Sequence, residues 1–370
     1  MKKIVLNYCL AIITLAGVSQ EVMAACTLNG NAASYVAPLR AANITVGRDV
    51  PLGSVIYQQF VQVNSLLAGS VLTMRCPANE TIKRFGKITV NPLPLSKWNT
   101  GTFAGKVYET GVPGIGVVFY SQANGGFVLP GEGKTFIAPH ASFSMNNTGS
   151  HEIYLIKISN TVGTGTIRAN RLPSYSLGFS HGGVESVFFS GSISGSINVV
   201  SRTCETPNVE VPMGAVTVDQ VNQDKAPWVD FSISLKNCPA FYGTWGGGWG
   251  YIPESDPNAP PANYKGFWQP NTIRVSLRGT VPPADANQGI LALNPASSGP
   301  VASGVWVQVA DIYNTPIRLV SGYSIDSEIY TQEEEGRTYT IPLTARYRKT
   351  SNTIKPGKAN ATAEFTIIYP

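Results

Sequence analysis

The sequence predicts an all-β protein made of two β-sandwich domains, the second of immunoglobulin-like type. Three observations carry that expectation. Short stretches alternate apolar and polar residues. In "ATAEFTIIYP", residues 361–370, Ala361, Ala363, Phe365, Ile367 and Tyr369 share one side and Thr362, Glu364, Thr366 and Ile368 the other. Such period-two alternation marks a half-buried strand. The composition suits many short strands joined by turns, with 37 Gly, 26 Pro and only 13% charged residues, against about 25% in an average globular domain. After residue 25 almost no stretch sustains a 3.6-residue apolar period. A length of 370 residues is enough for two cores of ordinary size.

Residues 1–24 read as a signal peptide outside the fold. A basic "MKK" precedes the apolar run "IVLNYCLAIITLAGV", and "VMA" ends at Ala24 with small residues at the cleavage position. A membrane anchor is the competing reading, but the run is shorter than the about 20 residues a span needs. A lipoprotein start at Cys26 is disfavoured, since Met23 stands where a branched residue is usual. The mature chain is therefore expected to be exported, with no stable membrane insertion. Cleavage removes Lys2, Lys3 and Glu21 and takes the net charge from +5 to +4. The charges are dispersed, without a basic cluster interleaved with aromatics, which argues against nucleic acid as a partner.

Cys9 leaves with the signal, and Cys26, Cys76, Cys204 and Cys238 remain. An even count in an exported chain implies disulfides. Three pairings are possible, and the spacing favours Cys26–Cys76 and Cys204–Cys238, one staple per half. A zinc site is disfavoured because no CxxC pair exists.

The first half, 25–199, carries β signals in "KITV", "GIGVVFYS", "HEIYLIKIS" and "SGSISGSINVV". "VSRT" at 200–203 reads as a linker. In the second half, 204–370, "VDFSISLKNCP" turns Val229, Phe231, Ile233 and Leu235 inward, and "IRVSLRGT" does the same with Ile273, Val275 and Leu277. "GVWVQV" offers Val305, Val307 and Val309, and "RTYTIPLTARY" offers Tyr339, Ile341, Leu343, Ala345 and Tyr347. Pro342 marks an edge or bulge there, and "KPGK" at 355–358 suits a type II turn. Regularly spaced short strands with one disulfide fit an immunoglobulin-like sandwich. The terminal strand runs straight into the last residue, which raises the question of whether its sheet is finished.

The phrases "TCETPNVEVPMG", "FSISLKNCP", "ASGVWVQV" and "YTIPLTARYRKTSNTIKPGKANATAEFTIIYP", with Tyr369 second from last, resemble the pilin domain of chaperone–usher fimbriae over most of 204–370. The resemblance implies an immunoglobulin-like fold lacking its last strand. A periplasmic chaperone, then the next fimbrial subunit, would supply that strand by β-strand addition. The terminal strand would border the gap, with Phe365, Ile367 and Tyr369 lining the subunit and chaperone groove. In the first half "ITVGRDVPLGSVI", "YETGVPGIGVVF" and "YLIKISNTVGTGTI" resemble receptor-binding domains like that of the type 3 fimbrial adhesin. A shaft pilin carries a donor extension before its first cysteine, whereas here Cys26 follows the expected cleavage point at once. The expectation is a subunit that accepts a strand, has none to give, and sits at the fibre tip.

The expected function is therefore that of a tip adhesin. It would bind a surface receptor, carbohydrate being one candidate class, and join the fibre by donor-strand complementation. The expected partners are the periplasmic chaperone, the outer-membrane usher, the strand-donating subunit and the receptor. The expected route runs through the periplasm to the fimbrium tip at the cell surface. The alternative is a tip initiator without significant receptor binding. A secreted glycosidase would need a carboxylate pair, and none can be nominated. No enzyme motif, metal site or cofactor is expected. His140, His151 and His181 read as surface or turn residues, and "EEE" at 333–335 as a solvated turn rather than a calcium contact. Lectin sites join flat apolar faces to fixed polar groups. That nominates Trp98 and Asn99 in "SKWNTGTF" and Tyr120, Gln122 and Asn124 in "FYSQANGG". "APHASFSMNNTG", with His140, Asn146 and Asn147, is a weaker candidate. The aromatic, glycine-rich insertion at 241–271 is expected to pack across the domain junction or to offer a second contact surface.

Overall fold

The computed structural model describes residues 26–61, 73–76, 79–122, 126–137, 143–144, 151–245, 268–327, 329 and 331–369. The expected signal peptide, Asn124, His140, Asn146, Asn147 and residues 246–267 of the insertion lie outside them. Two hydrophobic cores form, one from Cys26 to Val199 and one from Cys204 to Tyr369.

The first core lies between two sheets. One runs Gly131–Ile137, Thr81–Val90, Ser174–His181, Val184–Ser194, Ala33–Pro38, the last pair parallel. The other has at its centre Val55–Val61, His151–Lys157 and Ile115–Ser121. Alternation sets the filling: Ile153 and Leu155 point inward beside Val117 and Phe119, while Leu177, Phe179 and Phe189 answer from the other sheet. "SGSISGSINVV" forms two strands rather than one. Gly195 has φ +84° and breaks it, and Ser196–Val200 leaves for a small sheet with Gly165–Arg168 and Asn43–Thr45. The Cys26–Cys76 disulfide holds Thr27–Asn29 against Thr73–Arg75 at the flank of this core.

The second core lies between a sheet ordered Val229–Cys238, Arg337–Lys349, Val305–Ala310, Ile290–Leu291 and one ordered Ile325–Asp326, Arg274–Gly279, Ala363–Ile368. Ile233, Leu235, Val275, Val307, Ile341 and Leu343 fill it, and Cys204–Cys238 closes its start. Strand Arg337–Lys349 passes straight through Pro342, which pairs with Ser232. The strand on its other side pairs only from Thr344 onward, so the proline nitrogen lies where no second ladder demands a donor. The turn at 355–358 departs from expectation. Gly357 is not among the positive-φ glycines that a type II turn requires at that position. A Cβ there would lie 2.5 Å from the Ala302 nitrogen, so the glycine permits a close backbone pass.

The base of the insertion belongs to both halves. Thr244–Trp245 pairs with Trp268–Gln269 and also, in parallel at Tyr57, with the edge strand Val55–Val61 of the first half. Beside it Thr45 donates from its amide to Gly243 O (3.1 Å) and from Oγ1 to Ala240 O (3.1 Å). Asn271 donates to Thr45 O (3.2 Å) and accepts from the Gly243 amide (2.8 Å). Thr45 and Asn271 are buried, and buried polar groups that are fully paired hold one geometry.

Candidate functional site

Strand His151–Lys157 sends its odd residues into the first core and Glu152, Tyr154 and Ile156 to the outer face. A loop covering residues 94–107 packs on that face. Val107, Val118, Val128 and Ile156 form a small second cluster there, ringed by Trp98, Phe103, Tyr120, Tyr154 and Ile158. On one side of the loop opens a cleft of about 1020 Å3, lined by Leu52, Gly53, Leu95, Trp98, Asn99 and Phe103, with Lys97 and Glu109 also in its wall. Leu52 and Leu95 are exposed at its rim.

Local geometry fixes the tryptophan. Its amide donates to Ser96 Oγ (3.2 Å) and its carbonyl accepts from Gly105 (2.9 Å). Gly53, at φ +82°, leaves room for the indole, since a Cβ would sit 3.2 Å from Trp98 Cζ2. Trp98 Nε1 is buried without a hydrogen-bond partner, and buried donors ordinarily have one.

On the other side of the loop lies an aromatic patch with a buried carboxylate. The rings of Phe103 and Tyr154 are 5.6 Å apart, and those of Tyr154 and Tyr120 6.2 Å. Glu152 accepts from Gln58 Nε2 (3.1 Å) and from Gln122 Nε2. Burial pushes its carboxyl pKa up, and the two amides oppose the shift. Gly126, at φ +63°, sits in the left-handed region that favours glycine and lets the Tyr120 hydroxyl lie close against its backbone.

Of the expected receptor residues, Trp98 and Asn99 line the cleft, while Tyr120 and Gln122 belong to the patch. Phe103 touches both. Sequence reading missed Gln58, Glu152 and Tyr154. The alternation of "HEIYLIK" against "GVVFYS" was the available signal, since it puts Glu152, Tyr154 and Tyr120 on one face.

The histidine expectation is corrected. His151 and His181 are buried, not turn residues. His151 Nε2 meets the Tyr175 hydroxyl, and His181 Nε2 lies 3.6 Å from Glu80. The 333–335 run pairs with arginines: Glu334 with Arg337 (2.8 Å) and Glu335 with Arg202 (2.6 Å). Among the described residues no group of three or more His, Cys, Asp or Glu could hold a metal, and no helix is long and apolar enough to cross a membrane.

The second candidate site is a strand edge. Ala363–Ile368 has Arg274–Gly279 on one side and, among the described residues, no strand on the other. Ile367 and Tyr369 are buried and Phe365 packs on the same core. Tyr369 stacks on Phe241 (6.3 Å between centroids, 11° between planes), and its hydroxyl accepts from the Cys204 amide (3.2 Å). Burial raises its phenol pKa. The Thr280 amide donates to Thr362 O (3.1 Å), so even-numbered residues face the neighbouring strand and odd-numbered ones face outward. Ala363 and Phe365 thus turn N–H and C=O toward a side where no described strand receives them.

Residues 38–190 match the MrkD-like receptor binding domain family, and residues 189–370 match the fimbrial protein family. A fimbria adhesin protein of Klebsiella pneumoniae is 26% identical over 340 residues, 91% of each chain. The solved receptor binding domain of the plasmid-borne adhesin MrkD1P of Klebsiella pneumoniae is 25% identical, with 49% of this chain and 97% of that one covered and a TM-score of 0.34. The CupB6 tip adhesin of Pseudomonas aeruginosa is 16% identical, with 92% and 93% covered and a TM-score of 0.30.

Proposed function

We propose that this chain, with a MrkD-like receptor-binding region followed by a fimbrial protein region, is a two-domain fimbrial tip adhesin. Its first domain grips the receptor at the Trp98 cleft and the adjoining aromatic patch. Both families are non-enzymatic, so function here means binding. The observation that supports the site best is an apolar cleft with exposed rim residues Leu52 and Leu95, a fixed indole and an aromatic shelf around a hydrogen-bonded carboxylate. Flat rings beside fixed amides suit carbohydrate C–H faces and hydroxyls, so carbohydrate is the receptor class to try first. A weak single site is offset by many fimbriae acting together.

The proposed domain limits are 25–199 and 204–370, joined at 200–203 and preceded by a signal peptide at 1–24. In the proposed route the chain crosses the periplasm bound to its chaperone and passes the usher. It is then joined to the fibre by a strand from the next subunit, laid along the outward side of Ala363–Ile368. The side chains of Phe365, Ile367 and Tyr369 line the groove beneath it.

The test is adhesion by fimbriated cells carrying Trp98→Ala or Tyr120→Ala. The expected result is loss of adhesion with normal fimbria number. Full adhesion by both variants would remove the receptor site from this face. Loss of fimbriae together with adhesion would favour a tip initiator.

A further inference from the structure

The outward side of the terminal strand is not open along its whole length, and what closes it comes from the other domain. The Asp49 amide donates to Tyr369 O (3.3 Å), and the Asp49 carboxylate accepts from the Tyr369 amide through Oδ2 (3.1 Å). Asp49 thereby fills the place of one residue in an absent neighbouring strand. Arg48 continues the substitution. Its Nη2 donates to Ile367 O (3.3 Å), the next outward carbonyl, and its Nε lies 3.3 Å from Asp49 Oδ1. The loop is held from behind by Lys157, fully buried, whose Nζ donates to Gly47 O (3.2 Å) and Arg48 O (2.5 Å). Charged donors on carbonyls are the stronger class of hydrogen bond.

At the other end nothing comparable intervenes among the described residues. Ala359 and Asn360, just before the strand, line a groove of mixed character of about 320 Å3 with Val216, Val305, Tyr347, Lys355 and Lys358. The outward backbone groups left without a described partner on that side are those of Ala361, Ala363 and Phe365 and the N–H of Ile367. That stretch covers residues 361–367, about 23 Å at roughly 3.3 Å per residue.

We propose that Arg48 and Asp49 of the first domain close one end of the strand-acceptor edge and so set the register and the length of the strand that the second domain accepts. The occupant is an extended segment of another chain, about seven residues long, with alternate apolar side chains turned into the second core. It enters from the Ala361 end and stops where the receptor-binding domain already supplies the pairing. This inference rests on the strand-acceptance reading above and adds an end-stop to it.

The experiment uses the full chain released from its chaperone onto synthetic strand peptides. The peptides are acetylated, alternate valine and threonine, and carry a terminal lysine for solubility. A seven-residue core is compared with versions lengthened by two residues at one end or the other. Affinity is read by displacement and register by amide hydrogen exchange over 361–369. The expected result is asymmetry: lengthening at one end tightens binding about threefold to tenfold, as one or two added hydrogen bonds would, and lengthening at the other changes it less than about twofold on the same scale. In the R48A/D49A double variant the second end gains as much as the first. Equal gains at both ends in the wild-type chain would overturn the end-stop. The wild-type chain also decides without any variant. Once the chaperone is stripped away, the Tyr369 amide should be protected before peptide is added, and the Phe365 amide only after. Free exchange at Tyr369 until peptide binds would equally overturn it. If no peptide protects 361–367, the strand-acceptance reading fails, and the end-stop with it.

Discussion

In the first domain the edge strand Val55–Val61 is met at Tyr57 by Trp245, so a piece of the second domain extends its sheet. In the second domain the edge strand Ala363–Ile368 is met only at its last residues, by Arg48 and Asp49 of the first. Each domain thus lends the other a fragment of strand, but one loan reaches a neighbouring strand while the other leaves Ala363 and Phe365 facing nothing described. An unpaired edge over an apolar core is a hazard that soluble proteins normally blunt. On the proposed reading this edge is the one that a donated strand fills. The interiors differ as well. The first domain buries Arg84, His151, Glu152, Lys157 and His181, whereas the second buries Gln308, Thr344 and Asn271 and no ionisable group except tyrosine among its described residues. Buried ionisable groups are costly to keep charged unless they are paired, and here they gather in the first domain.

The largest effect should come from taking the open edge away. Deleting 361–370 removes both the strand and the Tyr369 anchor on Phe241 and Cys204. The expected outcome is no capture by the chaperone and loss of the chain in the periplasm, checked by co-purification and immunoblot. Stable accumulation of the truncated chain would contradict the reading.

Breaking the staples should come next and should not separate the two domains. The disulfides span 50 and 34 residues, and closing loops of that size contributes about 4 kcal/mol each on the chain-entropy account. Replacing either pair by serine should lower stability by comparable amounts in denaturant titrations, whereas a cost confined to one half would show that the other half's staple is dispensable.

A smaller effect of opposite sign is expected at Arg84. Its guanidinium is buried between Phe179 and Phe188 (5.8 and 6.0 Å to the ring centroids), without a hydrogen-bond partner, and burial lowers its pKa to about 10. Replacing buried ion pairs by well-packed apolar side chains of similar volume is often neutral or stabilising, by about 1–4 kcal/mol, and a charge without such a pair has less attraction to lose. Arg84→Met should raise the melting temperature, and a marked fall would mean that the charge has a structural task.

The smallest effect is a pH slope. The Glu152 pKa is raised in the folded chain. Its contribution to stability is therefore fully present below the unfolded carboxyl value and is lost as pH rises through the folded one. Glu152→Gln should flatten that part of the stability–pH curve. An unchanged slope would assign it to another group.

The sequence carried the class of fold and the position of the terminal strand because both depend on local alternation, and only the resemblance to pilin domains implied that its edge is open. "EFTIIY" and "HEIYLIK" read equally well as strands, and they are. Alternation cannot tell a covered edge from an open one, since that depends on what lies alongside. For the same reason the Thr244–Trp245 pairing with Tyr57, and the Gln58–Glu152–Gln122 cluster, were not legible. Each joins residues distant in the chain. His151 and His181 look like turn residues in a polar context, yet both are buried, His151 against the Tyr175 hydroxyl and His181 with no hydrogen bond to its ring nitrogens. Gly357 fits a type II turn by composition alone, and its task is set by the backbone of 300–302 passing close by. Trp98 was legible as an aromatic beside an amide, but its cleft depends on Leu52 and Gly53, far back in the chain.

The most direct measurement is equilibrium binding of the full chain, completed by a strand peptide, to a combined glycan and matrix-protein array, with Trp98→Ala alongside. The account predicts saturable binding that Trp98→Ala abolishes while leaving peptide affinity unchanged. Saturable binding that survives Trp98→Ala undiminished, or a folded, peptide-filled chain that binds nothing, would contradict it.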